Sequence, residues 1–409
     1  MKILLVCAFF PPEVGSAAHL YYELGQALQR KGHEITVLTG LPRYHVIGDQ
    51  QDYRRRPFVC ETYQGLRVYR VFNLDIPWNV PILRGLDQFL SAFFFGVAGV
   101  ILPAFDIALV YSPPLPLALA TLMLARIRGK PAVLNVQDIF PQSAIDLGVL
   151  KNPWLIRFFK GLEAFLYRHF RRTIAHSEGN RRYIISRGGQ PQRVMTLPNW
   201  VDTEAIKPEV KTNALRAALG LENRFIVSFA GIMGYSQDLG TIVRAAALLK
   251  DQPNIAFLLV GEGVEKPRLQ QMVQEGKLTN VLFLPMQPKE EYPKVLAASD
   301  LCLVTLRKEV RTPVVPSKIL SIMAAGRPVL GSLPLEGDAP RLLADAQGGV
   351  CLPPENPEGL AEAILKFSRD SRWGEEMGAK GRQYAVEHLS LEACVGHLES
   401  LFEEVIAGS

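Results

Sequence analysis

The sequence predicts two α/β domains, each built on a parallel sheet with crossover helices. Short apolar runs alternate with helix-like stretches along the whole 409-residue chain, a pattern typical of parallel sheets. The chain is also long for one hydrophobic core, since domains of about 150 residues are common. The alternation stops once, near residue 200, and then restarts. We therefore expect an N-terminal domain over 1–200, a C-terminal domain over 201–385 and a final helix over 386–409 that crosses back to the first domain.

The first half contains strands and helices in alternation. The predicted strands lie near 2–7, 34–39, 67–71, 107–111, 132–136, 172–175 and 193–196. The predicted helices lie near 17–31, 84–101, 115–128, 153–170 and 179–187. Turn-forming residues at 198–202 then interrupt the pattern, and a charged, proline-containing stretch follows to about residue 220. This interruption marks the predicted domain boundary.

The second half restarts with an apolar run at 225–230 and ends in a charged helical segment. Its further strands are predicted near 255–260, 280–284, 300–304, 328–331 and 349–351. Two similar α/β units in one chain favour an enzyme whose ligand binds in a cleft, at the carboxyl ends of both sheets.

The charge is divided unevenly between the halves. Residues 1–200 carry 23 Lys and Arg against 13 Asp and Glu, whereas the remainder carries 22 against 27. A basic half favours an anionic partner, which could be nucleic acid, lipid headgroups or a phosphorylated acceptor. A merely solvated basic surface is the alternative. The five cysteines are scattered, with no metal-ligand spacing, so we expect reduced thiols in a cytoplasmic protein.

One segment of the first half carries no charge. It covers residues 88–105 and is rich in phenylalanine. A transmembrane helix needs roughly 20 apolar residues, and Gly96, Gly99 and Pro103 weaken that interpretation. Two alternatives stay open: a buried helix, which we favour, or an interfacial helix that dips into a bilayer.

Three glycine-containing turns follow predicted strands. They lie at 11–18, which includes Gly15, at 231–239 and at 261–263. Small residues at such turns let backbone N–H groups approach a phosphate at the start of a helix. The first turn lacks the GxGxxG pattern and no acidic residue ends the second strand, so a dinucleotide site is poorly supported.

The sharpest local pattern is the segment 315–329. Pro316 opens a predicted helix, and Lys318 stands in its first turn. A cation at the positive end of a helix is unfavourable unless an anion binds beside it, so this turn predicts a phosphate-binding site. The alternative is a lysine that extends into solvent.

Several landmarks occur together in a specific order. They are 11–15, 32–39, 177–178, 197–202, 260–263 and 323–329. With them the chain resembles retaining glycosyltransferase family 4 over essentially its whole length. The resemblance implies the GT-B fold, which has two Rossmann-like domains facing each other across a cleft, with C-terminal helices packing back toward the N-domain.

Further motifs point to one branch of that family. Three segments resemble those of transferases that add amino-deoxy or deoxy sugars. They are 136–141, the GxxGxxQ turn at 231–237 and Pro316-Ser317-Lys318. Members of that branch build lipid-linked O-antigen or capsule repeats in bacteria. The resemblance therefore implies a nucleoside-diphosphate sugar donor, for which we expect UDP as the nucleotide, and a polyprenyl-diphosphate saccharide acceptor at the inner membrane surface.

The chain departs from the family at four positions of the expected donor site. Pro313 and Ser321 stand where the family commonly carries its Glu-x7-Glu carboxylates, and Ile232 and Gln237 stand where it carries Arg and Lys. Neutralisation of the diphosphate then falls to Lys318, an expected catalytic residue, with assistance expected from Arg311 or Lys266. The expected donor residues are Gly231, Gly234, Gln237, Gly261, Glu262, Lys266, Arg311, Ser317, Lys318 and Ser321.

On the first domain, Asp138 is the carboxylate expected nearest the chemistry. It follows Gln137, where the family carries His. The expected acceptor residues are Gly15, Ser16, His19 and Asn199. No Asp-x-Asp motif is present, so we expect neither a metal nor another cofactor. Two alternatives stay open, a UDP-sugar 2-epimerase of the same fold and a non-catalytic partner that binds nucleotide or lipid.

Overall fold

The computed structural model describes residues 1–13, 16–42, 53, 56–73, 81–146, 148–310, 313 and 315–408, with the backbone alone at 16 and 81–86. The chain divides into two compact units. The first comprises Met1–Pro198 together with Cys394–Ser409, and the second comprises Asn199–Ala393. None of the described helices combines the length and the apolar character needed to cross a bilayer.

The first unit contains an eight-stranded sheet. Its strands are β1 (Lys2–Val6), β2 (Glu34–Gly40), β3 (Phe58–Tyr63), β4 (Leu66–Val71), β5 (Ile107–Ser112), β6 (Ala132–Val136), β7 (Arg172–Ala175) and β8 (Val194–Thr196). Their order is β3-β4-β2-β1-β5-β6-β7-β8. Every pairing is parallel except that of β3 with β4.

The central strand β1 is buried on both faces of the sheet. In β1 the four residues after Lys2 are all buried and apolar, as expected for a strand that has helices on either side. Ile3 pairs with Ile35 of β2 and with Ile107 of β5. The helices are α1 (Ser16–Arg30), α2 (Pro81–Ile101), α3 (Leu115–Ile127), α4 (Gln142–Asp146), α5 (Pro153–His169) and α6 (Glu178–Ser186).

The second unit contains a six-stranded parallel sheet. Its strands are β9 (Phe225–Ala230), β10 (Ile255–Val260), β11 (Val281–Leu284), β12 (Leu301–Thr305), β13 (Val329–Ser332) and β14 (Gly349–Leu352), in the order β11-β10-β9-β12-β13-β14. Its helices are α7 (Ala214–Leu219), α8 (Leu239–Leu248), α9 (Lys266–Glu275), α10 (Tyr292–Ala298), α11 (Ser317–Ala324), α12 (Asp338–Asp345), α13 (Pro357–Arg369) and α14 (Ser371–His388). The predicted fold class of two parallel-sheet α/β domains is confirmed.

The last helix, α15 (Leu391–Ala407), lies mostly in the first unit. Its Glu399 carboxylate lies 2.7 Å from both Lys31 Nζ and His33 Nε2. Those hydrogen bonds lower the pKa of the Glu399 carboxyl. The C-terminal segment is therefore held to the end of α1 by charge-assisted hydrogen bonds.

The favoured prediction of a buried helix over 88–105 holds for only one face of α2. That face is buried, with Phe95 and Ala98 in the core of the unit. On the other face, Phe93, Val97 and Ile101 are exposed. The helix has apolar residues all round, so its composition does not reveal which face turns outward.

Candidate functional site

Two glycine turns at the carboxyl ends of β9 and β10 pack backbone against backbone. Gly231, Gly261 and Gly263 have φ values of +144°, +150° and +151°. A Cβ at Gly261 would lie 1.9 Å from the Gly231 carbonyl oxygen, and one at Gly263 would lie 2.4 Å from the Met233 carbonyl oxygen. The Met233 N–H donates to the Glu262 carbonyl over 2.8 Å. Both turns therefore require glycine, and they form one rigid backbone platform.

Lys318 lies against this platform. It stands in the first turn of α11, after Pro316. Its ammonium nitrogen donates to Gln237 Oε1 over 2.5 Å and lies 4.0 Å from the centroid of the Phe229 ring. A Cβ at Gly231 would come within 2.6 Å of Lys318 Cε. The glycine thus leaves room for the lysine side chain, and the alternative of a lysine extended into solvent does not occur.

No carboxylate among the described residues compensates the charge of Lys318. Burial lowers the pKa of its ammonium to about 7, and within the described part of the chain it has no carboxylate partner. The positive end of α11 adds an unfavourable field for a cation. A phosphate placed here would favour the charged form and restore its pKa. The geometry can therefore hold an anion between the lysine and the helix N-terminus.

The segment before α8 adds groups that the sequence did not reveal. Thr305 donates its hydroxyl hydrogen to the Gln237 carbonyl. Asp238 adopts a left-handed conformation, with φ of +44°. It precedes α8 yet does not cap it, and its Oδ2 is buried with no hydrogen-bond partner among the described residues. In the sequence, an Asp directly before a helix is expected to be an ordinary N-cap, so nothing marked this carboxylate as a candidate site residue.

Two predicted donor residues bind each other. Lys266 Nζ lies 2.6 Å from Glu262 Oε1 and 3.1 Å from the carbonyl oxygen of Gly261. Its charge is therefore already partnered, which weakens the expectation that Lys266 assists in holding a diphosphate. Lys318 is left as the better candidate.

The other predicted donor residues occupy different environments. Ser317 is exposed at the start of α11, and Ser321, one turn later on the same helix, is half-buried. Gly234 has φ of −100°, so its backbone conformation does not require glycine. Arg311 lies outside the described residues.

In the first unit, Asp138 follows β6 at the carboxyl edge of the sheet. Ser143 donates its hydroxyl hydrogen to Asp138 Oδ2 over 3.1 Å. Solvent reaches the residue, yet partial loss of hydration raises the pKa of its carboxyl, against the effect of Ser143 and the Ile139 N–H. Burial and the nearby Asp138 charge raise the pKa of Tyr111 to about 12. Asp138 is thus a positioned carboxylate whose charge is only partly compensated.

The predicted acceptor residues are only partly described. Gly15 lies outside the described residues, and Ser16 begins α1 with its side chain outside the description. His19 is half-buried on α1. Asn199 is half-buried and is the first residue of the second unit, so the set is split between the two units.

Sequence reasoning missed Arg70, which supports the loop after β1. Its side chain is fully buried in β4. Its Nη2 donates to the Pro11 carbonyl over 2.5 Å, and its Nε donates to Glu61 Oε1 over 2.6 Å. Side chains along a strand point alternately to its two faces, and Arg70 falls in the sequence at a position that faces the core. A charged residue at such a position could have indicated a buried ion pair.

Comparison with known proteins identifies the fold and the class of enzyme. Residues 15–200 match the model of the glycosyl transferase 4-like domain, and residues 224–370 match that of glycosyl transferases group 1. The chain is a GT-B glycosyltransferase. Anabaena HepE, solved in complex with UDP, aligns with a TM-score of 0.75 and 19% identity, covering 99% of this chain and 100% of that one.

Two curated relatives align with most of this glycosyltransferase. WcaI of Escherichia coli (strain K12), a glycosyl transferase provisionally assigned to colanic acid biosynthesis, is 27% identical over 89% of this chain and 91% of its own. The N-acetyl-alpha-D-glucosaminyl L-malate synthase of Bacillus anthracis is also 27% identical, over 99% of this chain and 97% of its own.

Proposed function

We propose that this enzyme transfers a sugar, with retention, from a UDP-sugar to a hydroxyl of a lipid-linked saccharide in bacterial cell-surface polysaccharide biosynthesis. The sugar is an N-acetylated amino or deoxy hexose. The observation that carries the proposal is the partly buried Lys318 ammonium, which rests on the glycine platform with no carboxylate partner in the described chain.

The donor diphosphate binds between Lys318 and the start of α11. As the glycosidic bond breaks, negative charge grows on the leaving diphosphate, and a fixed cation there stabilises the transition state. Gln237 Oε1 accepts a hydrogen bond from the ammonium and helps to fix its position. Lys318 and the helix amides neutralise the diphosphate without a metal ion. Complexes of HepE with UDP and with UDP-glucose support UDP as the nucleotide.

Asp238 follows Gln237 in sequence, and its buried Oδ2 has no hydrogen-bond partner among the described residues. A buried acceptor with no donor costs free energy until a ligand hydroxyl or amide N–H satisfies it. We assign Asp238 to a hydroxyl of the donor, a role for which the family's usual paired carboxylates are absent at Pro313 and Ser321.

The acceptor binds on the first unit near Asp138. Its carboxylate orients a sugar hydroxyl, and the raised pKa shows that its charge is not fully stabilised by protein groups. The excess of basic residues in 1–200 supports an acceptor that carries phosphate and an enzyme peripheral to the cytoplasmic face of the membrane. The relative assigned to colanic acid biosynthesis supports the polysaccharide pathway.

A thermal-shift panel of UDP-, GDP- and ADP-sugars tests the donor. A true donor at about 100 times its Kd adds about 2.7 kcal/mol to the free energy of unfolding. We expect a shift with UDP-sugars alone. No shift with any nucleotide sugar would refute the proposed donor site.

The same nucleotide sugar, incubated with and without a polyprenyl-diphosphate saccharide, tests the reaction. We expect release of UDP that requires the acceptor, and an NMR coupling in the product that shows the donor's anomeric configuration retained. Epimerised sugar formed without acceptor would identify an epimerase, and binding without turnover would identify a non-catalytic partner.

A further inference from the structure

A groove of about 410 Å³ lies between α2 and α3 on the first unit. Its volume is within the roughly 300–1,000 Å³ of ligand pockets. Every described residue that lines it is apolar or glycine, so none of the described side chains there offers a charge or a hydrogen bond to a ligand. The residues that shape it are Phe93, Gly96, Val97 and Val100 of α2 and Met123 and Ile127 of α3.

The walls of the groove are exposed. The exposed fractions are 64% for Phe93, 58% for Val100 and 74% for Ile127. Contiguous apolar surface of this kind marks a ligand or partner site, because it is unfavourable in water. Neither 88–105 nor 107–137 contains a carboxylate.

Two glycines on α2 give the groove its depth. A Cβ at Gly99 would lie 2.5 Å from Leu124 Cδ2, so the two helices touch there. At Gly96, one turn earlier, no atom lies within 4 Å of the position of a Cβ. A side chain at 96 would therefore project into open groove without displacing its neighbours.

A chain of aromatic contacts joins the groove to the loop of Asp138. Phe140, two residues after Asp138, has its ring centroid 5.1 Å from that of Phe159. Phe159 lies 6.2 Å from Phe89, which lines the groove. Two aromatic contacts, through Phe159, thus connect the groove at Phe89 to the loop that carries Asp138.

The other end of the groove lies at the opposite edge of the sheet. Arg128, just after α3, donates to the carbonyls of Gly99 and Leu102 at the end of α2, over 3.1 and 2.9 Å. The stretch of α2 from Phe89 to Ile101 is roughly 18 Å long at about 1.5 Å per residue. An extended hydrocarbon chain matches this length and lack of polarity.

Exposed aromatic residues of α5 lie next to the groove at Phe89. Trp154 and Phe158 of α5 are 78% and 52% exposed, and Phe158 contacts Phe89 with a centroid distance of 5.9 Å. Lys151 and Arg157, both exposed, are near these two residues in sequence. Exposed aromatic and cationic residues together suit the region where an anionic lipid leaves a membrane.

We propose that the groove between α2 and α3 holds the hydrocarbon tail of the lipid-linked acceptor while its diphosphate and sugar lie near Asp138. This inference rests on the proposed function, in which the acceptor is lipid-linked. It assigns the substrate's tail to a site on the protein rather than leaving it wholly in the bilayer.

Binding of octyl, decyl and dodecyl phosphate, measured calorimetrically below their micellar concentrations, tests the groove without requiring activity. Each buried CH₂ contributes about 0.8 kcal/mol, so affinity should rise up to about fourfold per added carbon. Gly96→Leu fills the groove and should lower dodecyl phosphate affinity at least about tenfold. Gly161→Leu is the matched control, since it lies on exposed α5 surface and its Cβ would also meet nothing within 4 Å.

Three outcomes would overturn the assignment. One is chain-length dependence that persists unchanged in Gly96→Leu. Another is no binding of soluble chains by wild type, with equal flotation of wild type and Gly96→Leu on phosphatidylglycerol vesicles, which would make this face a bilayer contact. The third is a dimer in sedimentation that Phe93→Ser dissociates, which would make it an interface between copies.

Transfer assays separate this inference from the proposed function. Gly96→Leu should keep the UDP-induced thermal shift and the transfer to an acceptor without a tail, while losing transfer to the long-tailed acceptor. Absence of transfer in every variant would refute the proposed function, and the alkyl phosphate series would still report on the groove.

Discussion

Lys318 Nζ donates a hydrogen bond to Gln237 Oε1 over 2.5 Å, joining residues 81 positions apart in sequence. The bond links the first turn of α11 to the turn after β9. With the Phe229 ring 4.0 Å from the ammonium, it holds a cation in place before any ligand arrives. A cation fixed in this way needs no reorganisation when charge develops on a leaving diphosphate.

Replacing Lys318 with Met should remove the cation that stabilises the leaving diphosphate, while preserving the fold. Methionine keeps the apolar length over Phe229 and removes a partly buried charge, so thermal stability should hold or increase. Loss of one preorganised group that stabilises transition-state charge costs about 10²–10³ in rate. Turnover assays and the UDP-induced thermal shift measure both effects.

Lys366→Met provides the matched control. Lys366 also lies over an aromatic ring, 4.5 Å from the centroid of Trp373, but on the exposed surface of α13. It should leave donor binding and transfer unchanged. Equal losses in the two variants, or unaltered turnover in Lys318→Met, would contradict the role given to Lys318.

Donor affinity should fall as the pH rises above neutrality. Burial lowers the pKa of Lys318 to about 7 in the free enzyme. The diphosphate binds the protonated form, so binding raises that pKa, and affinity is greatest below about pH 7. Above it, the Kd of UDP-glucose should increase by up to about tenfold per pH unit. Calorimetry between pH 6 and 9 measures this slope, which Lys318→Met should remove.

A flat profile in the wild-type enzyme would show that the ammonium does not titrate near neutrality. A slope that survives in Lys318→Met would assign the titration to another group. In either case the link between this lysine and the donor diphosphate would fail.

The platform glycines and Lys318 could be predicted because each carries a local physical signal. Glycine after a strand indicates backbone that other residues resist, and a cation at a helix start indicates an anion. Periodicity likewise located the strands of the parallel sheets, since fully buried strands form short continuous apolar runs.

Features that depend on long-range packing could not be predicted. The pairing of Lys318 with Gln237 follows from how β9 and α11 align, which no local pattern records. Phe93 and Phe95 lie on one apolar helix, and only the contacts of α2 with α3 decide that Phe95 is buried and Phe93 exposed. The strand β3 was missed because its half-polar edge-strand sequence lacks a continuous apolar run.

Adding a methyl group at Gly231 should displace Lys318. The Cβ of Gly231→Ala would lie 2.6 Å from Lys318 Cε, at a φ of +144° that side-chain-bearing residues resist. We expect a destabilisation of about 1–3 kcal/mol, as for other strained backbone conformations, and at least about tenfold weaker UDP binding. Thermal denaturation and UDP titration measure the two effects.

Gly220→Ala separates backbone strain from loss of the site. Gly220 ends α7 with φ of +64°, and a Cβ there would meet nothing within 4 Å. It should cost about 1–2 kcal/mol of stability while leaving UDP affinity intact. Weaker UDP binding in both variants would attribute the effect to destabilisation of the unit as a whole.

Asp138→Asn should impair transfer without affecting donor binding. The amide keeps the shape of the carboxyl but removes its charge, and one hydrogen bond to a charged group contributes about 1.5–3 kcal/mol, which corresponds to about 10- to 100-fold in rate. Since the pKa of Asp138 is raised above its usual value, transfer by the wild-type enzyme should also decline as the pH falls through that raised pKa. The control is Asp146→Asn, at an exposed position of α4.

UDP affinity, measured in parallel with transfer, separates a role of Asp138 in acceptor orientation from a role in donor binding. A pH–rate profile identifies the titrating group. If the decline in rate at low pH persists in Asp138→Asn, it belongs to a different group.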